Sequence, residues 1–215
     1  MEAGARLDHQ PRPALGAEKK ARERLIRLAH GHPDWVLGYA DEVWWSRLAQ
    51  PGLHSWTERE PLRLIENTVD KRDKEPQAVC CYGMLRADTE KIGLRFVCGR
   101  PVSGITTKFL YWVCRGLGKE GKKALLLVWD NASWHISQAV HSWMRAHNRT
   151  AKQAGGVRII VCQLPTKSPW LNRIEPHWVH GKRAVVEPGR KLTAAELISR
   201  VCDYYRCKQL RHLSK

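Results

Sequence analysis

The sequence predicts an α/β protein whose mixed sheet is flanked by helices. Three features point to it. Residues 77–89 and 91–102 are two extended stretches with a polar junction between them, which suits an antiparallel pair. Ala124-Leu125-Leu126-Leu127-Val128-Trp129 is an unbroken apolar run closed by Asp130, the pattern of a strand covered on both faces in a parallel sheet. From there to the C-terminus helical and extended stretches alternate, as in layered α/β folds.

Taken in order, the chain opens with Pro-, Gly- and Ala-rich text and passes into a charged helix over 17–28 with Leu25 and Leu28 on one side. Residues 1–34 read as a linker or the tail of something upstream, and 35–215 as one domain. Residues 35–40 form a short apolar strand ending at Asp41, and 51–61 form a loop between two prolines. Ile92, Leu94 and Phe96 alternate with Gly93 and Arg95, the period of a half-buried strand. Ser103 caps a helix that runs through Phe109, Trp112 and Val113 to a stop at Gly116 and Gly118. After Asp130 a helix starts at Ser133 or Trp134, runs to about His147 and is followed by a Gly155-Gly156 break; residues 157–164 form the next strand. Ser168-Pro169 supplies an N-cap and a proline at the first helical position, so a helix carrying Glu175 begins there. Thr193 and Glu196 have capping-box spacing and open the last helix. Internal repeats and low-complexity tracts are absent from the sequence.

At 215 residues the chain suits one sizeable domain, and 43% hydrophobic with 27% charged residues excludes a disordered chain. No apolar run approaches the ~18 residues of a membrane span, and residues 1–30 lack the apolar core of a secretory signal. The expectation is a soluble, intracellular protein. The formal net charge is +16, unevenly placed: residues 1–75 carry 13 basic and 13 acidic side chains, whereas residues 76–215 carry 24 and 8. Such asymmetry favours a polyanionic partner, because each phosphate met by Lys or Arg releases a condensed counterion. The seven cysteines lack C-x-x-C spacing, Cys202 and Cys207 coming nearest, which argues against structural zinc and for reduced, buried thiols. Ten tryptophans suit either core packing or stacking on bases.

Three carboxylates stand at informative places: Asp41 and Asp130 at strand ends and Glu175 in the first turns of a helix. Ligands of open α/β sheets collect at strand ends. Each residue alone also has an ordinary use: a turn for Asp41, a strand-exit cap for Asp130-Asn131, a helix-dipole partner for Glu175. Glu42, next to Asp41, points to the opposite face of its strand. If the strands of Asp41 and Asp130 are adjacent, the three carboxylates converge and repel unless cations sit between them. Hard, oxygen-seeking Mg²⁺ suits such a place. Two ions ~3.5–4 Å apart stabilise the attacking and leaving oxygens of an in-line displacement at phosphorus.

Three segments carry a resemblance: Tyr39-Ala40-Asp41-Glu42; Val128-Trp129-Asp130-Asn131-Ala132-Ser133-Trp134-His135; and Leu164-Pro165-Thr166-Lys167-Ser168-Pro169-Trp170-Leu171-Asn172-Arg173-Ile174-Glu175. Together they resemble the DDE transposases of the mariner-like superfamily, in its bacterial insertion-sequence branch, over about residues 35–182. The resemblance implies a ribonuclease-H-like fold, two Mg²⁺ or Mn²⁺ ions, and cutting and joining of double-stranded DNA at element ends and target by a homodimer, in the cytoplasm of a bacterium at the nucleoid. By position it makes Asp41, Asp130 and Glu175 the catalytic and metal-binding triad.

Around the triad, Asn131, His135 and Asn172 are placed to orient the carboxylates, Asn172 three residues before Glu175 on the same helix face. Lys167, Arg173, Lys182 and Arg183 flank Glu175 as candidate DNA-backbone contacts. Arg173 stands where the family has proline. The 45 residues between Asp130 and Glu175 are more than many relatives have, and the excess is expected as a basic loop over 148–156. Relatives carry an N-terminal helix-turn-helix region, and about thirty-four residues precede the first strand here. The chain is therefore expected to be a catalytic half, with 1–34 the remnant of a DNA-binding region. A second reading is an inactive remnant that only binds DNA.

Overall fold

The computed structural model describes residues 13–48, 72–166, 168–186 and 190–215, with the backbone alone for 13–19 and 21. The loop expected over 51–61 and Lys167 lie outside the described residues. Five strands, β1 (Trp35–Ser46), β2 (Ala78–Arg86), β3 (Ile92–Val97), β4 (Ala124–Trp129) and β5 (Arg158–Gln163), form one sheet in the order β3-β2-β1-β4-β5. The β1–β2 and β2–β3 pairs are antiparallel; β1–β4 and β4–β5 are parallel. The mixed α/β sheet expected from the sequence is present.

Helices cover both faces. Apolar residues of β1 alternate between them: Leu37, Tyr39, Val43 and Trp45 join one core, and Val36 and Ala40 the other. The first core is closed by α1 (Pro13–Gly31), α4 (Glu175–Val185) and α5 (Ala194–Tyr204), the second by α2 (Ser103–Lys119) and α3 (Gln138–Ala154). Lying between the two cores, β4 is buried along its whole length, as its unbroken apolar run requires. Within the 1–34 segment, α1 packs Leu25, Ile26, Leu28 and Ala29 against the first core. Near the C-terminus, Leu213 lies along β3, exchanging backbone hydrogen bonds with Phe96 and Cys98 at 2.7 and 2.8 Å, and so covers that edge of the sheet. No helix among the described residues is long and apolar enough to cross a membrane.

Several boundaries differ from the sequence expectation. β1 continues past Asp41 to Ser46, because β2 pairs with it along residues 38–46. Neither Gly116 nor Gly118 stops α2; the helix runs to Lys119, and Gly121 takes the positive φ of 76° that turns the chain. Ser103 makes no side-chain cap, since Val102 holds the N-cap position. α3 begins at Gln138, with Ser137 as the N-cap accepting from Val140 N, so residues 133–137 form a turn instead of a first helical turn. The loop expected over 148–156 is mostly helix. Asn148 fastens it to β5, donating to Ile159 O at 2.8 Å and accepting from Ile159 N at 2.7 Å. Ser168-Pro169 opens only a 3-10 turn (Pro169–Leu171), while α4 starts afresh at Glu175 with a proline in its first turn. Thr193 caps α5 with the full capping box to Glu196.

Candidate active site

The parallel register of β1 and β4 pairs Tyr39 with Val128, so Asp41 and Asp130, each two residues further on, stand level just beyond the point where the pairing of these two strands ends. Glu175 reaches them from the first turn of α4. The loop before α4 is tied to β1: the Asn172 amide donates to Ala40 O at 3.0 Å, and Asn172 O accepts from Glu175 N at 3.1 Å. Asn172 is thus buried and does orient the Glu175 segment, but from the end of the 3-10 turn and not from the helix that carries Glu175. Asn131 works similarly at the end of β4, its amide donating to Leu164 O. A cavity of about 270 Å³ opens between these segments, lined by Asp130, Asn131, Asn172 and Glu175 together with residues 164–166 and 168–169.

Each carboxylate is held differently. Asp41 lies under α4, where Trp178 Nε1 donates to its Oδ2 at 2.9 Å. Burial, then the charges of Glu175 and Glu42, raise its pKa from 3.8 to about 8. The Trp178 ring reaches β1 because Gly83 faces Asp41 in the β1–β2 ladder; any Cβ there would collide with the indole. Glu175 is also raised, by burial and by Asp130, while Lys182 and a hydrogen bond with Asp41 act in the other direction. Glu175 is therefore electrostatic neighbour to both aspartates. Burial works against Asp130 as well, but His135 and the Ala132 N–H, donating to Oδ1 at 2.7 and 3.0 Å, hold its carboxyl below the usual range.

His135 is buried in the turn before α3 and lies flat on Trp129, ring centroids 4.3 Å apart. Its Nδ1 faces Asp130 and its Nε2 faces Glu42 Oε1 at 2.6 Å. Burial lowers its pKa, yet the hydrogen bonds to Asp130 and Glu42 outweigh that and raise it to about 9. Sequence reasoning placed Glu42 on the far face of its strand, where it is, but gave it no role; its partner lies 93 residues away. Trp178 was also missed, although its position one turn after Glu175 puts it on the same face of α4.

Among the described residues no three His, Cys, Asp or Glu side chains form a ready-made cage for a cation. The donors nevertheless suit a hard divalent ion. They are all oxygens, Glu175 adds to the raised proton affinity of Asp41 and Asp130 to that of Glu175, and Asn172 Oδ1 is buried with no donor. Of the candidate DNA contacts, Lys182 and Arg183 are exposed in the last turn of α4. Arg173 pairs with Glu90 at 3.1 Å and lies over Tyr39. That pair is exposed and screened, so it leaves the guanidinium available to a phosphate. None of the seven cysteines is in a disulfide, and five of them are buried.

Residues 66–198, more than half of the chain, match the family described as DDE superfamily endonuclease. No curated protein matches the chain in sequence. The fold is similar to those of a Mos1 transposase paired-end complex with left transposon end (13% identity, TM-score 0.62, 97% of this chain and 60% of that one) and of a pre-cleavage Mos1 transpososome (12%, 0.60, 97% and 60%). It is also similar to the catalytic domain of Mos1 mariner transposase (13%, 0.56, 95% and 87%). The chain thus spans about 60% of the length of the transposase in the two complexes, and its sheet and helices have the ribonuclease-H-like arrangement.

Proposed function

The chain belongs to the DDE superfamily of endonucleases, and from that premise we propose that it is the catalytic part of an insertion-sequence transposase, cleaving DNA strands at element ends and transferring them to a target. The observation that carries this reading is the convergence of Asp41, Asp130 and Glu175 at one end of the β1–β4 pair, with each carboxylate's protonation coupled to a neighbour's. Mos1 paired-end complexes have been solved with Mn and with Mg, which supports divalent ions here too. Two ions, Mg²⁺ or Mn²⁺, held by Asp41, Asp130 and Glu175 would supply Lewis-acid stabilisation of the oxygens exchanged at phosphorus.

The chain's own groups prepare that event. Asp41, whose pKa burial and the charges of Glu175 and Glu42 raise to about 8, would hold a cation through its carboxyl group, which the Trp178 indole orients by donating to Oδ2. Asp130 stays ionised and oriented through His135. Asn172 holds the Glu175 segment to β1, so that α4 cannot drift from Asp41. Lys182, Arg183 and Arg173 lie on the Glu175 side and grip the phosphate backbone, and Lys167, eight residues before Glu175 in the sequence, is a further candidate for that contact. Backbone contacts of this kind position DNA without reading its sequence. The partner is double-stranded DNA, both element end and target, the working assembly is a homodimer, and the protein acts at the nucleoid in a bacterial cytoplasm.

Incubating the protein with an end-containing duplex and Mg²⁺ or Mn²⁺ tests the reading. Nicking or strand transfer is expected, and Asp130→Asn should reduce it at least ~100-fold. Activity that survives this substitution overturns the assignment of the triad.

A further inference from the structure

We propose that Glu42 is a positioning residue for Asp130, acting through the His135 ring; the role rests on the triad reading above. Consecutive residues of a strand face opposite sides of the sheet, so Glu42 lies on the other face from Asp41. Its side chain is only 7% exposed, and a buried carboxylate without a partner is costly. The partner is His135, whose two nitrogens lie 2.6 Å from Glu42 Oε1 and 2.7 Å from Asp130 Oδ1.

Asp130 needs such a partner. It stands beyond the end of β4 with its side chain 53% exposed, and packing alone does not fix its rotamer. His135 is fixed, by burial, by its stack on Trp129 and by Glu42 behind it. Glu42 is fixed in turn by β1–β2 pairing, which sets it opposite Tyr82, whose hydroxyl lies 2.8 Å from Thr106 Oγ1 and within reach of the Glu42 carboxylate. The relay commits Asp130 Oδ1 to His135 and to Ala132 N–H, and leaves Oδ2 without a hydrogen bond to any described residue. Orientation that would otherwise be lost from cation binding is settled beforehand.

The test measures Mn²⁺ binding by electron paramagnetic resonance on the whole chain, with melting curves for every variant. Glu42→Leu fills similar space without hydrogen bonds and should bind Mn²⁺ about tenfold more weakly. Glu42→Gln should bind within about threefold of the parent, because its amide can donate to Nε2 and leave Nδ1–H directed at Asp130. Packing alone would not separate these two variants. Glu42→Met, whose thioether adapts to the same space, replaces the leucine variant if that one does not fold. Parent-like binding by Glu42→Leu overturns the proposal. Equal weakening by leucine and glutamine also overturns it, because the charge of Glu42 and not its hydrogen bond would then hold the ion. Asp130→Asn runs alongside: unchanged Mn²⁺ binding there would fail the triad reading itself, independently of Glu42.

Discussion

The two faces of the sheet meet the same problem on β1, a largely buried carboxylate, and treat it in opposite ways. On the α4 face, Asp41 is surrounded by apolar side chains and Glu175, and a retained proton removes its charge. On the α3 face, His135 lies between Glu42 and Asp130, and its hydrogen bonds to both hold its own pKa up at about 9. One arrangement can exchange its proton for an arriving cation. The other already holds a cation of its own and has no reason to change. The difference separates the adaptable part of the site from the fixed part.

The largest effect should come from removing the built-in cation. His135→Leu leaves buried Glu42 with no cation and only the Tyr82 hydroxyl beside it, and should destabilise the metal-free protein by about 3–4 kcal/mol, measured by urea unfolding. A change under about 1 kcal/mol would mean that Glu42 finds another partner and that the faces are alike.

On the Asp41 face the neutralising substitution should have the opposite sign. Folded Asp41 holds its proton up to about pH 8, whereas the unfolded chain loses it near 3.8. The folded state therefore binds more protons between those limits, and its stability falls as pH rises through them. Asp41→Asn removes that penalty. It should stabilise the metal-free protein at pH 9 by on the order of 3 kcal/mol and change little at pH 4. Equal melting temperatures of parent and variant at pH 9 would contradict the buried, proton-holding state of Asp41.

Gly83→Ala should act on the Asp41 face alone. The new methyl group displaces Trp178 and with it the indole N–H on Asp41, costing about 1–3 kcal/mol and weakening Mn²⁺ binding in a calorimetric titration. Binding identical to the parent would separate Trp178 from the site. The smallest effect belongs to Thr193→Ala, which removes the α5 cap at a cost of about 1 kcal/mol and should leave Mn²⁺ affinity unchanged; a loss of affinity would tie α5 to the site as closely as α4.

Much of this site was legible before folding was considered. The three carboxylates sit in short segments with distinctive text, and the apolar run before Asp130 announces a central strand. What stayed hidden depends on distant pairing. β1 reads as ending at Asp41 because two acidic residues interrupt its apolar pattern, yet β2 and His135 give those residues partners and the strand continues. Ser168-Pro169 reads as the start of α4, yet Pro176, equally visible in the sequence, is the proline of its first turn. His135 looked helical, but a helix beginning at Ser133 competes with the turn that lets its ring reach two carboxylates.

Asn148 closes α3 onto β5, and Gly155 turns the chain between them in the left-handed region. The 45 residues from Asp130 to Glu175 therefore do not set the geometry of the site. Ladder register and the Asn172 anchor do that, at the opposite end of the sheet from this turn. The Gly155 turn is consequently a permissive point: lineages can lengthen or shorten it by drift, and an engineer can splice a reporter peptide into it, while the spacing of the carboxylates stays the same.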